Sequence, residues 1–458
     1  MITTTTGARY YGLHALAWAD AHDRGLDSES AEEFVRRCEV VMAAASLAHG
    51  AAPGGHFRVV PSAHGSDRIP QFIHGDVLDV VAAAARDDGF SKGGFAATYR
   101  APEGVIGLVL GSPPRKGPRT DLGRLKAGLG DVLTLAREDT LTADAIAHAA
   151  HLCPCLAAEA PDGQWLRSVM FGQARADVEG DHNRQVSALM LLEALDHGPH
   201  HDPESRFRLA HGFGAAMEGE GLEARARRAW QAAILRNYSV SAWRHLWRWL
   251  SLELVGDTMT AHELGDRLAD ALNHGKVRTL IDELPQRADS SCLLPIEEEL
   301  HTSDEDVPVR SLRQLALGAL RLDDLDGDTR NLYVGVDRDD LGPLWVQHQL
   351  TEHADGALSD FARDLVQTLV RRAWRVAHSK MRLSEDLRPY VPTGLRDRDG
   401  LLSVVDAESD AEVSLRGWTL AQVLGALGAV DRPDGQYTVS PLGDALRGQI
   451  SASVARVA

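Results

Sequence analysis

The stretch RGWTLAQVLGALGAVDRPDGQYTVSPLGDALRGQI, residues 416–450, decides how the fold is read. Leu420, Val423, Leu424 and Leu427 recur on one helical face. Gly428 ends that helix, and Ala429-Val430 opens a short strand. Pro433-Asp434-Gly435 predicts a turn, because proline presets φ and glycine tolerates a positive one. Residues 436–439 then alternate as a returning strand. Ser440-Pro441 starts a further helix, since proline is tolerated in a first turn where its missing N–H would have had no partner. Helix, tight hairpin and capped helix is the order of a winged helix-turn-helix, with the hairpin as wing.

An earlier segment, IGLVLGSPPRKGPRTDLGRLKAGL (residues 106–129), follows the same plan. A strand over Val105–Leu110 leads into a Pro/Gly-rich turn and a helix opening TDLGRL, against SPLGDAL later. Thirteen positions separate Gly107 from Thr120, and twelve separate Gly428 from Ser440. The two copies differ in charge. Lys92, Arg100, Arg115, Lys116, Arg119, Arg124 and Lys126 face only Glu103 and Asp121, a local +5. Arg115, Lys116 and Arg119 fall in the turn, where a wing tip would meet a phosphate backbone. A solvated loop explains the same charges. In the C-terminal copy Arg432 lies between Asp431 and Asp434, which suits protein docking better than DNA.

The whole chain is acidic: 458 residues, 48 Lys+Arg against 66 Asp+Glu, net −18. Such a chain is repelled by nucleic acid except at a local basic surface. Apolar residues at 44% exclude extended disorder. No apolar run approaches the ~18 residues of a membrane span, and MITTTTGARYYG lacks a signal-peptide pattern. Four cysteines are too few for a disulfide framework and predict a reducing, cytoplasmic setting.

The expected fold class is mainly α, helical arrays around one or two winged helix-turn-helix-like units. Residues 1–55 form an N-terminal helical unit, with helices over 10–49, and 56–135 a winged-helix-like unit with a basic wing. Within the latter an Ala-rich helix is expected over Leu78–Arg86, then a turn-rich GGFAATYRAPEGVIG. Residues 136–280 read as a helical array whose segments stop at Gly or at Pro154. Trp243 and Trp247, four apart, are read as core packing. Residues 281–355 suggest an acidic connector or irregular lobe. Residues 356–458 hold a long helix and the C-terminal unit. The arginines of that helix, Arg363, Arg371, Arg372 and Arg375, with Arg382 beyond, read as a solvated face.

The order ARYYGLHAL, GGFAATYRAPEGVIGLV, TDLGRLKAGL, CPCL, WLRSVMFG and a C-terminal winged unit resembles poorly characterised bacterial proteins associated with anti-phage defence loci. The resemblance implies an accessory or DNA-sensing subunit beside a helicase or nuclease.

Catalytic patterns are few. Gly89-Phe90-Ser91-Lys92-Gly93 matches GxSxG, but helical text rather than a strand precedes it, so it is set aside. His182 with His200-His201-Asp202 has the composition of a phosphohydrolase metal set, but Pro199 and Pro203 put the pair in a loop. His148, His151, Cys153 and Cys155 crowd four metal-ligand types into eight residues, yet zinc usually draws on two separated pairs. They are read as buried structural thiols. Leu322–Gly327 fails as a calcium loop for want of a Glu at its twelfth position. No catalytic residue, metal ligand or cofactor is therefore expected. The expected function is a non-catalytic, DNA-contacting accessory subunit of a DNA-processing or defence complex, with other subunits and double-stranded DNA as partners and no membrane. The alternatives are a metal-dependent phosphohydrolase and a stand-alone winged-helix regulator.

Overall fold

The structure, a computed structural model, describes residues 7–52, 63–175, 178–196, 202–213, 221–272, 275–284, 295–335, 341–383, 389–391, 393–409 and 413–454. It is mainly helical, with short strands, and separates into two compact units. One comprises Met1–Ala210, Gly219–Arg227 and Arg416–Ala458; the other comprises His211–Glu218 and Arg228–Leu415. No helix among the described residues is long and apolar enough to cross a membrane.

The first unit opens with α1 (Ala8–Asp23) and α2 (Ser28–Ala51), where the sequence places two helices. Asp27 caps α2 by accepting from the Ser30 N–H at 2.8 Å. Helix α1 is buried on nearly every face, so its polar side chains must find partners inside. Arg9 donates to both oxygens of Asp162, at 2.9 and 3.1 Å, and to the carbonyls of Gly128, His151 and Cys153. His14 lies between Glu39 at 3.0 Å and Glu103 at 2.7 Å, all three fully buried.

Two strands follow, β1 (Ile73–His74) and β2 (Val77–Asp79), then α3 (Val80–Ala84). The expected helix from Leu78 to Arg86 is thus shorter, because Leu78 pairs with Leu141 in the antiparallel sheet β1-β2-β5, where β5 is Thr140–Thr142. The stretch expected to be turn-rich holds a helix, α4 (Ala96–Ile106), with Pro102 inside it. The strand expected over Val105–Leu110 shrinks to β3 (Val109–Leu110), which pairs with β4 (Arg115–Lys116) ahead of α5 (Leu122–Leu135). After β5 come α6 (Ala143–His148), α7 (Pro161–Arg167), α8 (Glu179–Leu195) and α9 (Pro203–His211).

In the second unit, α10 (Leu222–Glu253, from Arg228 onward) leads to β6 (Met259–Thr260) and α11 (Ala261–Ala271). Thr260 and Glu263 form a reciprocal capping box at the start of α11. The region read as a connector holds α12 (Thr279–Asp282), α13 (Ile296–Thr302), α14 (Val307–Asp324), α15 (Gly327–Val334) and α16 (Pro343–Glu352). Leu312, Leu315, Val346 and Leu350 from these helices join a core shared with Leu264, Leu268, Leu365 and Leu369. Helix α17 (Leu358–Ser379) packs on α11. Strands β7 (Arg382–Leu383) and β8 (Pro389–Tyr390) pair with each other, and β9 (Leu395–Arg398) and β10 (Leu401–Val404) form a hairpin. Strand β10 also pairs with β6, Leu402 opposite Met259, closing a three-stranded antiparallel sheet. Trp243 and Trp247 pack against this core, and the Trp243 Nε1–H donates to the Leu341 carbonyl at 2.9 Å. Of the arginines on α17, Arg363 is paired with Asp266 and Asp360.

The chain then re-enters the first unit as α18 (Gly417–Ala426), β11 (Val430–Asp431), β12 (Thr438–Val439) and α19 (Pro441–Val454). Both segments singled out in the sequence are therefore helix–hairpin–helix modules, α4-β3-β4-α5 and α18-β11-β12-α19.

Candidate nucleic-acid interface

The first helix of the basic module starts on a carboxylate from another element. Glu39, on α2, accepts from the backbone N–H of Phe95 and Ala96 at 3.0 and 2.9 Å, occupying the first donors of α4. This tertiary cap and buried Tyr99, Glu103 and Ile106 explain why α4 forms despite Pro102. Helix α4 ends at Gly107, whose φ of 86° is left-handed, and Gly428 (φ 79°) ends the corresponding helix in the other module. The hairpin closes through the Gly117 N–H on Leu108 O, and the Thr120 hydroxyl donates to the same carbonyl at 2.8 Å. Asp121 caps α5 through the Arg124 N–H.

The seven cations singled out in the sequence divide into two groups. Lys92, Arg115, Lys116, Arg124 and Lys126 are exposed. Arg100 and Arg119 are half-buried and serve the fold: Arg100 donates to the Gly111 carbonyl inside the hairpin. Arg119 donates to Asp181 at 3.1 Å and to the Gln173 carbonyl at 2.6 Å. Arg119 is therefore not the free wing-tip cation expected from the sequence, because its guanidinium is held by Asp181 and backbone carbonyls, and Arg100 of the wider basic set is engaged by the hairpin backbone.

Asp181, at the start of α8, gathers Arg119, Arg175 and Arg184 around one buried carboxylate. Burial opposes its ionisation, but hydrogen bonds from Arg175 and Arg184 and the Arg175 N–H overcome that, holding the carboxyl well below its usual range. Three guanidiniums on one carboxylate leave the cluster net positive. Arg175 also donates to Val105 O, tying the cluster to the end of α4.

Beside this cluster opens a polar cleft of about 770 Å³ lined by Lys116, Arg119, Thr120, Arg124, Trp165 and Gln173, among others. Trp165, half-buried on α7, presents an indole among the cations. The sequence reading missed Trp165, Asp181, Arg175 and Arg184. WLRSVMFG was visible as a segment, but nothing in its spacing linked it to residues fifty positions earlier.

The C-terminal module is docked instead. Arg206 donates to the Tyr437 carbonyl at 2.9 Å, and Arg167 to the Leu427 carbonyl at 2.5 Å. Arg432 stands over the rings of Trp418 and Tyr437, at 5.7 and 5.0 Å from their centroids.

The patterns set aside in the sequence do not assemble. Ser91 lies in a turn after α3. His182 is buried on α8 with both ring nitrogens unpartnered among the described residues, and Asp202 caps α9 through the Glu204 and Ser205 N–H groups. His200 and His201 lie outside the described residues. Comparison with protein-family models, with curated proteins and with solved structures finds no match to the chain.

Proposed function

We propose that this protein is a nucleic-acid-contacting subunit that holds double-stranded DNA against the β3–β4 hairpin and the cleft beneath it. The observation that carries this reading is the grouping of exposed Lys116 and Arg124 with Trp165 around one open cleft, with exposed Arg115 and Lys126 close by in the chain, in a protein of net charge −18. Cations at this density attract phosphates by counterion release, while the Asp181 cluster holds the hairpin rigid below them. The two helix–hairpin–helix modules support a winged-helix reading. So does the second unit, where β6, α11, α17 and the β9–β10 hairpin follow the strand–helix–helix–hairpin order, with residues 272–357 inserted between the helices. On this reading the basic module meets DNA and the docked C-terminal module is structural. The sequence resemblance to defence-associated accessory proteins supports a partner helicase or nuclease, which co-purification from the native host tests.

The direct experiment is fluorescence anisotropy with a DNA duplex between 50 and 200 mM salt. The Arg115→Ala/Lys116→Ala/Arg124→Ala variant should bind more weakly, its log K against log salt slope shallower by about 3, roughly one per lost phosphate contact. Binding and slope equal to the parent's would reject the interface.

A further inference from the structure

A second cluster lies where Arg9, paired with Asp162, also holds the Cys153 carbonyl. Cys153 and Cys155 are buried, their sulfurs 3.2 Å apart, and the Cys155 Sγ is 3.4 Å from Nδ1 of His49, at the C-terminal end of α2. All three donor atoms lie within 4.8 Å of one another, the one such group among the described residues. The histidines nearest in sequence are engaged elsewhere: His148 Nδ1 faces the Asp144 carbonyl at 2.7 Å, and His151 Nε2 faces Asp131 at 3.2 Å.

We propose that His49, Cys153 and Cys155 bind one thiophilic divalent ion, zinc by its chemistry, which ties the end of α2 to the loop around Pro154. Two thiolates and an imidazole form a soft donor set that suits zinc and excludes magnesium or calcium. From zinc–sulfur and zinc–nitrogen bonds of about 2.3 and 2.0 Å, a tetrahedral site, its fourth position taken by a water molecule, puts the protein donors ~3.5–3.8 Å apart. The three donors stand at that scale, and small side-chain movements suffice to admit the ion.

The surroundings are built to hold the donors in place. Pro154 separates the two cysteines and starts a short 3-10 turn, and the two sulfurs approach each other to 3.2 Å. The Arg9 guanidinium donates to the His151 and Cys153 carbonyls at 2.8 and 2.9 Å, fixing the backbone that carries the ligands. The Cys153 thiol donates to Ser46 Oγ at 3.6 Å, one helical turn before His49; once the thiol is ionised that hydroxyl becomes a donor to the sulfur. Such outer contacts orient ligands and are a regular feature of real metal sites. The ligands come from segments about a hundred residues apart, so the ion would act as a cross-link in the first unit. No part of this rests on the nucleic-acid reading.

The test uses the full-length, untagged chain purified under reducing conditions, stripped with a chelator and reloaded with cobalt(II) or zinc(II). Cobalt should give intense thiolate charge-transfer absorption with tetrahedral d–d bands, and elemental analysis should find close to one equivalent of zinc. Binding should weaken tenfold or more in His49→Ala and vanish in Cys153→Ser/Cys155→Ser. The cobalt spectrum of the unaltered protein stands even if a variant fails to fold. Absence of thiolate absorption, a Cys153–Cys155 disulfide found by mass spectrometry in the reduced preparation, or full zinc retention by a folded double variant would each overturn the assignment.

Discussion

His14 shows how much a single buried residue can ask of its surroundings. Burial alone would push its imidazole down, but the Glu103 charge and hydrogen bond, and then those of Glu39, outweigh it and raise the pKa to about 9. A histidine unfolded titrates near ~6.5. Its raised folded value means the stabilisation is complete below about pH 6.5 and is lost as pH rises through about 9. The first unit should therefore lose ~3 kcal/mol of stability over that window, a loss absent from His14→Gln; denaturant midpoints measured at pH 6, 7.5 and 9 check it. Arg9 is the other such residue. Arg9→Ala leaves Asp162 buried and uncompensated, and should cost about 3–5 kcal/mol in the unfolding transition of the first unit. Neither residue stood out in the sequence. One arginine and one histidine on an apolar helix look like exposed positions until the partners from residues 39, 103 and 162 are in place.

At the scale of elements, the C-terminal module was legible and the basic one only in part. Pro433-Asp434-Gly435 sits in the turn, with Asp434 and Gly435 at φ 51° and 80°, and Gly428 stops the helix as its type suggests. Local chemistry alone determines these features. Helix α4 was missed because its N-terminus is capped by Glu39, more than fifty residues away, and no local signal announces such a cap. Ser440 offers the element-scale test. Its hydroxyl donates to the Gly428 carbonyl at 2.5 Å and accepts from the Gly443 N–H at 3.0 Å, joining hairpin and helix. Ser440→Ala should cost about 1–2 kcal/mol by chemical denaturation, near the upper end for a lost cap because a buried carbonyl also loses its partner. An unchanged midpoint would mean that Ser440 does not hold the module together.

At the scale of the whole molecule, each compact unit has its own buried core, so unfolding should not be two-state. Leu125→Ala, in the first unit, and Leu264→Ala, in the second, each remove a fully buried side chain. Each should lower one transition by about 2–5 kcal/mol and leave the other in place. Calorimetry of the two variants separates them, and a single transition moved equally by both would contradict independent cores.

By itself the sequence determined the helical class, the C-terminal helix–hairpin–helix and the local excess of positive charge between Lys92 and Lys126. Those depend on neighbours within a few positions, where spacing, caps and turn residues act directly. The tertiary structure alone decided that Arg119 is bound by Asp181 while Arg115, Lys116 and Arg124 stay exposed, that Trp165 shares a cleft with Lys116 and Arg124, and that His49 rather than His148 or His151 meets the two cysteines. Each of those outcomes sets a charge or a donor atom against a partner tens of residues away or more, and only the folded chain brings such partners within bonding distance.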